Sequence, residues 1–172
     1  MSDKYSLDKR RIKYKGTMDF EGLLGVIINF LKENFDKVKE EQFKQSPGKI
    51  ANSLNIEAKY TAEIEWTNFY KRKMTVEVKA EDMEEVEVIK SGVKRKTDNG
   101  RITIVFSAEL ELDYRNKFEA TPFKRKMRDI YKKVFDREIK ITQLGPLDEL
   151  VSLLQKKVKE HLGMETSKEA YP

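Results

Sequence analysis

The feature that most constrains the fold is a long run of strict alternation between apolar and polar residues. The apolar members are Ile102, Ile104, Phe106, Ala108, Leu110, Leu112 and Tyr114. A period of two places the apolar side chains on one face of a β-strand and the polar side chains on the other. The sequence therefore predicts a long strand over residues 101–114 that spans and anchors an antiparallel sheet.

Shorter runs with the same period predict the neighbours of this strand. They cover residues 9–15, 58–66, 74–80 and 86–88. The apolar spacing over residues 37–44 does not decide whether a further strand lies there. Asp98-Asn99-Gly100 predicts a hairpin turn, because Asn-Gly accepts a positive φ angle. We therefore expect an antiparallel meander of about five or six strands.

Three segments repeat apolar residues at steps of three and four, which is the period of a helix. The first begins near Thr17 or Asp19, the second follows the Thr121-Pro122 cap, and the third runs from Gly145-Pro146 to about Gly163. The predicted fold class is α+β, with the sheet packed by one long N-terminal helix and two C-terminal helices. We expect a single domain over residues 1–163 and a flexible tail over residues 164–172.

Composition and motifs argue against several classes of function. The chain has no cysteine, which excludes disulfides and thiolate chemistry, and its single histidine, His161, is predicted in the last turn of the last helix. No P-loop, Gly-x-Gly-x-x-Gly or His-Glu-x-x-His motif occurs. The longest apolar stretch, residues 23–31, is too short to span a bilayer. We expect a cytoplasmic protein that is not an enzyme, with no catalytic residue, metal or cofactor.

Positive charge is concentrated in two segments. The net charge is +5, and residues 4–15 and residues 124–137 each carry +5, so the rest of the chain carries −5. In the second segment, basic residues recur every four positions and form a stripe opposite the apolar side of the predicted helix. Such a stripe can follow a phosphate backbone, and a basic N-terminal arm can extend it.

The first hypothesis is therefore a non-enzymatic binding or assembly protein that contacts an anionic partner, RNA or a ribonucleoprotein. The residues predicted to bind the anion are Lys9, Arg10, Arg11, Lys124, Arg125, Arg128 and Lys132.

A turn is predicted over residues 67–72, and it places Phe69 and Tyr70 next to three basic residues, Lys71, Arg72 and Lys73. One interpretation is a stacking tip for a base, and the favoured interpretation is that the two aromatic residues fold back on the sheet edge or meet a second subunit. A homo-oligomeric structural protein is a further hypothesis, in which a homodimer forms through exposed sheet edges or through Val26 and Phe30.

The order of the predicted elements resembles that of the helix-grip, START-like family. The resemblance implies an apolar ligand held between a curved sheet and a helix, although this chain has two shorter C-terminal helices where that family has one long helix. Under this reading the chain is a carrier of a small apolar ligand, and the predicted cavity residues are Leu24, Ile28, Trp66, Phe106 and Leu110. Tyr14-Lys15-Gly16 followed by Asp19-Phe20-Glu21-Gly22-Leu23 is also similar to the start of small uncharacterised archaeal proteins, a resemblance that implies no activity.

Overall fold

A six-stranded antiparallel sheet forms one layer of the molecule, and helices cover one of its faces. The computed structural model describes residues 3–164. The elements are β1 (Asp3–Ser6), β2 (Arg10–Met18), α1 (Phe20–Asn34), β3 (Lys37–Pro47), β4 (Leu54–Glu65), β5 (Tyr70–Lys90), β6 (Val93–Leu112), α2 (Pro122–Ile139), a π-helical segment (Lys140–Leu144) and α3 (Gly145–His161). The predicted α+β class is confirmed.

Strand β6 is the centre of the sheet topology. It pairs with β5 on one side, and on the other side it pairs with both β1 and β2, which together form one interrupted edge strand. The sheet then continues through β4 to β3 at the opposite edge. The strand predicted over residues 101–114 is confirmed as far as Leu112, where β6 ends, and its alternation buries Ile102, Ile104 and Phe106 between more exposed neighbours.

The core lies between the inner face of the sheet and two helices, α1 and α3. The residues that these helices bury there are Leu23, Ile27, Phe30 and Leu31 from α1 and Leu147, Val151, Leu154 and Val158 from α3. Asp19 caps α1 by accepting a hydrogen bond from the Gly22 N–H, which satisfies a donor that the first turn leaves free. The ring of His161 lies 3.0 Å from the backbone oxygen of Asp19, so the last turn of α3 is joined to the start of α1.

The predicted hairpin at Asp98–Gly100 is wrong. Strand β6 continues through these residues, and the turn between β5 and β6 lies at Ser91 and Gly92, which both have positive φ angles. Gly100 is needed for a different reason: a Cβ there would lie 2.5 Å from the Sδ atom of Met83, opposite the irregular pairing between Glu81 and Glu84. The strand predicted over residues 86–88 is likewise not separate, because it is the outer part of β5.

Other boundaries differ in smaller ways. The sequence pattern gave no indication of β1, and β3 extends to Pro47. Residues 165–172, nearly all of the predicted tail, lie outside the described residues. Within residues 3–164, no helix is both long enough and apolar enough to cross a membrane.

Candidate functional site

An open groove lies at one end of the molecule, where α1, the β4–β5 turn and α3 meet. Its volume is about 380 Å³. Its lining residues are Asn34, Ile64, Trp66, Arg72, Pro146, Glu149, Leu150 and Leu153. The wall is therefore mostly apolar, and it has one arginine, one carboxylate and one amide at defined positions.

Arg72 is the unusual member of this lining. It is the third residue of β5 and lies on the inner face of the sheet, in phase with the buried residues Met74 and Val76, and only 6% of its surface is exposed. A buried guanidinium normally has a carboxylate partner, because burial of an unpaired charge costs several kcal/mol. Among the described residues, no carboxylate forms an ion pair with Arg72.

Among the described residues, two specific contacts orient the guanidinium group. The Nη2 atom donates to the Oε1 atom of Gln143 at 3.3 Å, and the guanidinium carbon lies 4.3 Å from the centre of the Trp66 ring. The Nε atom is buried and has no hydrogen-bond partner among the residues that the structure describes. Burial lowers the pKa of Arg72, yet a guanidinium remains charged at neutral pH. The group is therefore a positioned cation with unused hydrogen-bonding capacity.

The π-helical segment supplies the amide partner of Arg72. Lys140–Leu144 joins α2 to α3 with one wide turn, and this segment contains Gln143. A π-turn inserts an extra residue into a helix and often occurs at functional sites. Here it brings an uncharged acceptor to the guanidinium group, which orients the cation and leaves its charge uncompensated.

The predicted anion-binding residues of the N-terminal arm point in different directions. Arg10 faces the helices, where its guanidinium group contacts the Asp148 carboxylate and the Ser152 hydroxyl of α3. Lys9 and Arg11 are exposed. Adjacent residues of a strand face opposite sides of the sheet, so Arg10 and Arg11 do not form one surface.

The basic stripe of α2 faces the body of the protein. Lys132 lies 3.1 Å from a carboxylate oxygen of Asp3, and Arg128 lies 3.8 Å from Asp3 and 3.5 Å from Glu119. Lys124 and Arg125 are exposed. The expectation that Arg128 and Lys132 lie on the free side of the helix is therefore corrected, because acidic residues of β1 and of the preceding loop attract them inward.

Phe69 and Tyr70 lie within an aromatic cluster that joins the β4–β5 turn to α2. The Phe69 ring packs edge-on against Phe118 and Tyr131 with ring centres 5.3 and 5.7 Å apart. The Tyr70 and Tyr131 hydroxyl oxygens are 3.1 Å apart. Both aromatic residues thus have partners within the chain, and their role as a stacking tip or subunit contact stays a prediction.

The five residues predicted to line one cavity are separated in the structure. Phe106 is fully buried in the main core, against which Leu24 and Ile28 pack, and Leu110 belongs to a second, smaller cluster. Trp66 is 53% exposed and lines the groove. The structure thus places only Trp66 at an open site.

Arg72, the central residue of the groove, was not predicted as a site residue. Arg72 was assigned to a turn, although it continues the inward phase of Met74 and Val76. A charged residue in an inward position of a strand was the signal that could have identified it. The described residues contain no cluster of three or more histidine or acidic side chains that could hold a metal ion.

Comparisons with known proteins add little to this picture. No family model matches the chain, and no curated protein matches it. One solved structure that matches is norcoclaurine synthase from Thalictrum flavum in complex with dopamine and hydroxybenzaldehyde. The identity is 11%, the match covers 93% of this chain and 89% of that chain, and the TM-score is 0.25. A similarity this weak supports no conclusion about this chain.

Proposed function

We propose that the protein binds a small ligand with an apolar body and an anionic group in the groove beside Arg72. One observation carries this proposal: Arg72 is 94% buried, lines an open groove and has no carboxylate partner among the described residues. An anionic group of a ligand would supply the missing partner. The proposal belongs to the class of non-enzymatic binding proteins.

The chemistry of the lining indicates what kind of ligand fits. A guanidinium group binds carboxylate and phosphate groups through charge-assisted hydrogen bonds, which are stronger than neutral ones. Trp66, Ile64 and Leu150 offer an aromatic face and aliphatic contacts next to it. Pockets for small ligands commonly measure about 300–1,000 Å³, so a volume of about 380 Å³ suits a compact molecule such as an aromatic acid.

Glu149 tunes the charge preference of the groove. It lines the same groove but forms no ion pair with Arg72. Its carboxylate would repel a ligand anion at short range, so binding of an anion relies on the position of Arg72 deeper in the wall. A ligand with a single negative charge near Arg72 is favoured over one with several.

The contact with RNA predicted from the basic segments stays a hypothesis. Arg10, Arg128 and Lys132 are already engaged by acidic side chains, and these contacts reduce the number of cations available to phosphates. The geometry therefore favours the groove as the primary functional site.

The test uses Trp66, the only tryptophan, as an intrinsic reporter. Naphthoate, a compact aromatic anion, is titrated into the full chain, and the quenching of Trp66 fluorescence is compared with the quenching by the neutral carboxamide of the same ring. We expect saturable binding of naphthoate and at least about tenfold weaker binding by Arg72→Met, because a hydrogen bond to a charged group contributes about 1.5–3 kcal/mol.

The matched control is Arg95→Met, which removes an exposed arginine near the β5–β6 turn. This variant should bind naphthoate as the original chain does. Equal naphthoate affinity in Arg72→Met and the original chain, or no saturable binding at all, would refute the proposed function.

A further inference from the structure

Helix α2 presents its apolar stripe to solvent instead of to the core. The exposed fractions are 73% for Phe123, 50% for Ile130 and 67% for Val134, and Met127 is also exposed. With 3.6 residues per turn, these four residues lie within an arc of about 60°. Ile139 is the one buried residue of this helix. The outer surface of α2 is thus a continuous apolar ridge.

The opposite side of α2 holds the helix in this orientation. Arg128 and Lys132 contact Asp3, and the Tyr5 hydroxyl donates to the Oδ1 atom of Asp136 at 2.8 Å. These contacts join α2 to β1 along its length. Rotation of the helix to bury the ridge would break all of these contacts with β1. The contacts therefore keep the ridge exposed.

Free cations border the ridge. Lys126, Lys133 and Arg137 lie on one flank within about 60° of its edge, and Lys124 lies on the other flank with Glu138. Lys124, Lys126, Lys133 and Arg137 are exposed, and none of the described residues forms an ion pair with any of them. Helix α2 as a whole has seven basic and three acidic residues.

We propose that α2 docks on an anionic phospholipid surface. Phe123, Ile130 and Val134 insert at the boundary between headgroups and acyl chains, and Lys126, Lys133 and Arg137 contact lipid phosphates. A basic amphipathic helix that lies in the plane of the membrane surface has this combination of an apolar face and cationic flanks. The proposal concerns a surface separate from the Arg72 groove and does not depend on it.

Charge and shape select this occupant over a second copy of the chain. Two α2 helices packed ridge to ridge would bring their lysine-rich flanks together, and like charges in contact oppose association. The ridge is also convex, and it is narrow because the opposite face is attached to the body. A planar anionic surface can contact the ridge and both flanks at the same time.

The test measures co-sedimentation of the full chain with two kinds of vesicles: phosphatidylcholine alone, and phosphatidylcholine mixed with phosphatidylserine. We expect binding to the mixed vesicles alone, with strong weakening by added salt. Lys126→Glu combined with Lys133→Glu should weaken this binding at least on the order of thirty-fold, as expected from the loss of two basic residues near an anionic surface. Ile130→Ser combined with Val134→Ser, at exposed positions, should also weaken it.

The control variant carries Lys13→Glu and Lys15→Glu, an equal change of charge at exposed positions of β2. It should bind the mixed vesicles nearly as well as the original chain. Because the chain has no cysteine, Val134→Cys provides a unique site for an environment-sensitive fluorophore, whose emission should shift to the blue with mixed vesicles.

Three results would overturn the proposal. The first is absence of binding to the mixed vesicles, as expected if the occupant were an acidic protein. The second is equal weakening by the control and by the α2 charge variant. The third is a dimer, detected by light scattering, that Ile130→Ser dissociates while vesicle binding is unchanged.

Discussion

Arg72→Met separates a binding role for the arginine from a structural one. If Arg72 held the fold together through an ion pair, its removal would lower the free energy of unfolding by about 3–5 kcal/mol, because a buried charge would lose its partner. The structure shows a buried cation without a carboxylate partner among the described residues. Methionine has a similar length, is apolar and adapts to irregular sites.

The expected magnitude follows from the few contacts of Arg72. A buried Nε–H without a partner costs about 1–3 kcal/mol, and methionine removes that cost. The substitution also removes the 3.3 Å hydrogen bond to Gln143 and the contact with the Trp66 ring, each of which contributes on the order of 1 kcal/mol. These effects nearly cancel, and removal of the unpaired buried charge adds a gain, so the free energy of unfolding should fall by no more than about 1 kcal/mol.

Urea unfolding followed by circular dichroism measures this change without relying on Trp66 fluorescence, which the substitution itself alters. In thermal unfolding, the same change of about 1 kcal/mol corresponds to a shift of about 2–4 °C in Tm for a chain of this size. The comparison variant is Arg10→Met, which removes a partly exposed ion pair with Asp148 and should lower stability by about 1 kcal/mol. A loss of about 3 kcal/mol or more in Arg72→Met would show that Arg72 stabilises the fold as a paired charge does.

Four further substitutions test other parts of the structure. Gly100→Ala should lower the free energy of unfolding by about 1–3 kcal/mol in a urea titration. The new Cβ would lie 2.5 Å from the Met83 sulfur and 3.0 Å from the backbone oxygen of Glu81, which cannot move aside as a side chain can. Gly25→Ala, at an open position within α1, should raise the free energy of unfolding by about 0.5–1 kcal/mol. A Gly25→Ala variant less stable than Gly100→Ala would contradict the packing at both sites. Burial and the hydrogen bond to Asp136 raise the pKa of Tyr5 to about 12. The neutral form of Tyr5 therefore stabilises the fold below pH 10, and this contribution is lost as the pH rises from about 10 to about 12. An ultraviolet titration measures tyrosine ionisation in the original chain and in Tyr5→Phe. If the variant keeps every tyrosine that ionises above pH 10 in the original chain, the raised pKa does not belong to Tyr5. Glu149→Gln should strengthen naphthoate binding measured by Trp66 quenching, since it removes a negative charge from the groove, and weaker binding would contradict that role.

The sheet and the two core helices were predictable because their patterns are local. Strand β6 alternates without interruption over residues 101–112, α1 begins directly after Asp19, and Thr121 caps α2 as predicted. Such patterns involve residues only a few positions apart, so they predict the local structure without knowledge of tertiary contacts. The Asn99-Gly100 pair failed as a turn signal because close approach to β5, a tertiary requirement, decided the conformation there.

The orientation of α2 could not be derived from its sequence. The helix is amphipathic, and burial of its apolar side was the expectation from the hydrophobic effect. Its orientation is instead set by distant residues, namely Asp3, Tyr5 and Phe69, which contact its basic and aromatic positions. The same long-range assembly creates the groove, since Trp66, Arg72 and Glu149 come from three different elements of the chain.

The measurement that tests the groove most directly is the NMR signal of the Arg72 Nε–H group in a ¹⁵N-labelled chain. Its assignment comes from the one signal that disappears in Arg72→Met. On addition of naphthoate, this signal should shift saturably as the carboxylate binds the guanidinium group, with no comparable shift on addition of the neutral carboxamide. An unchanged Arg72 signal at a naphthoate concentration that saturates Trp66 quenching would show that the anion does not bind at Arg72, and it would rule out the groove as the anion site.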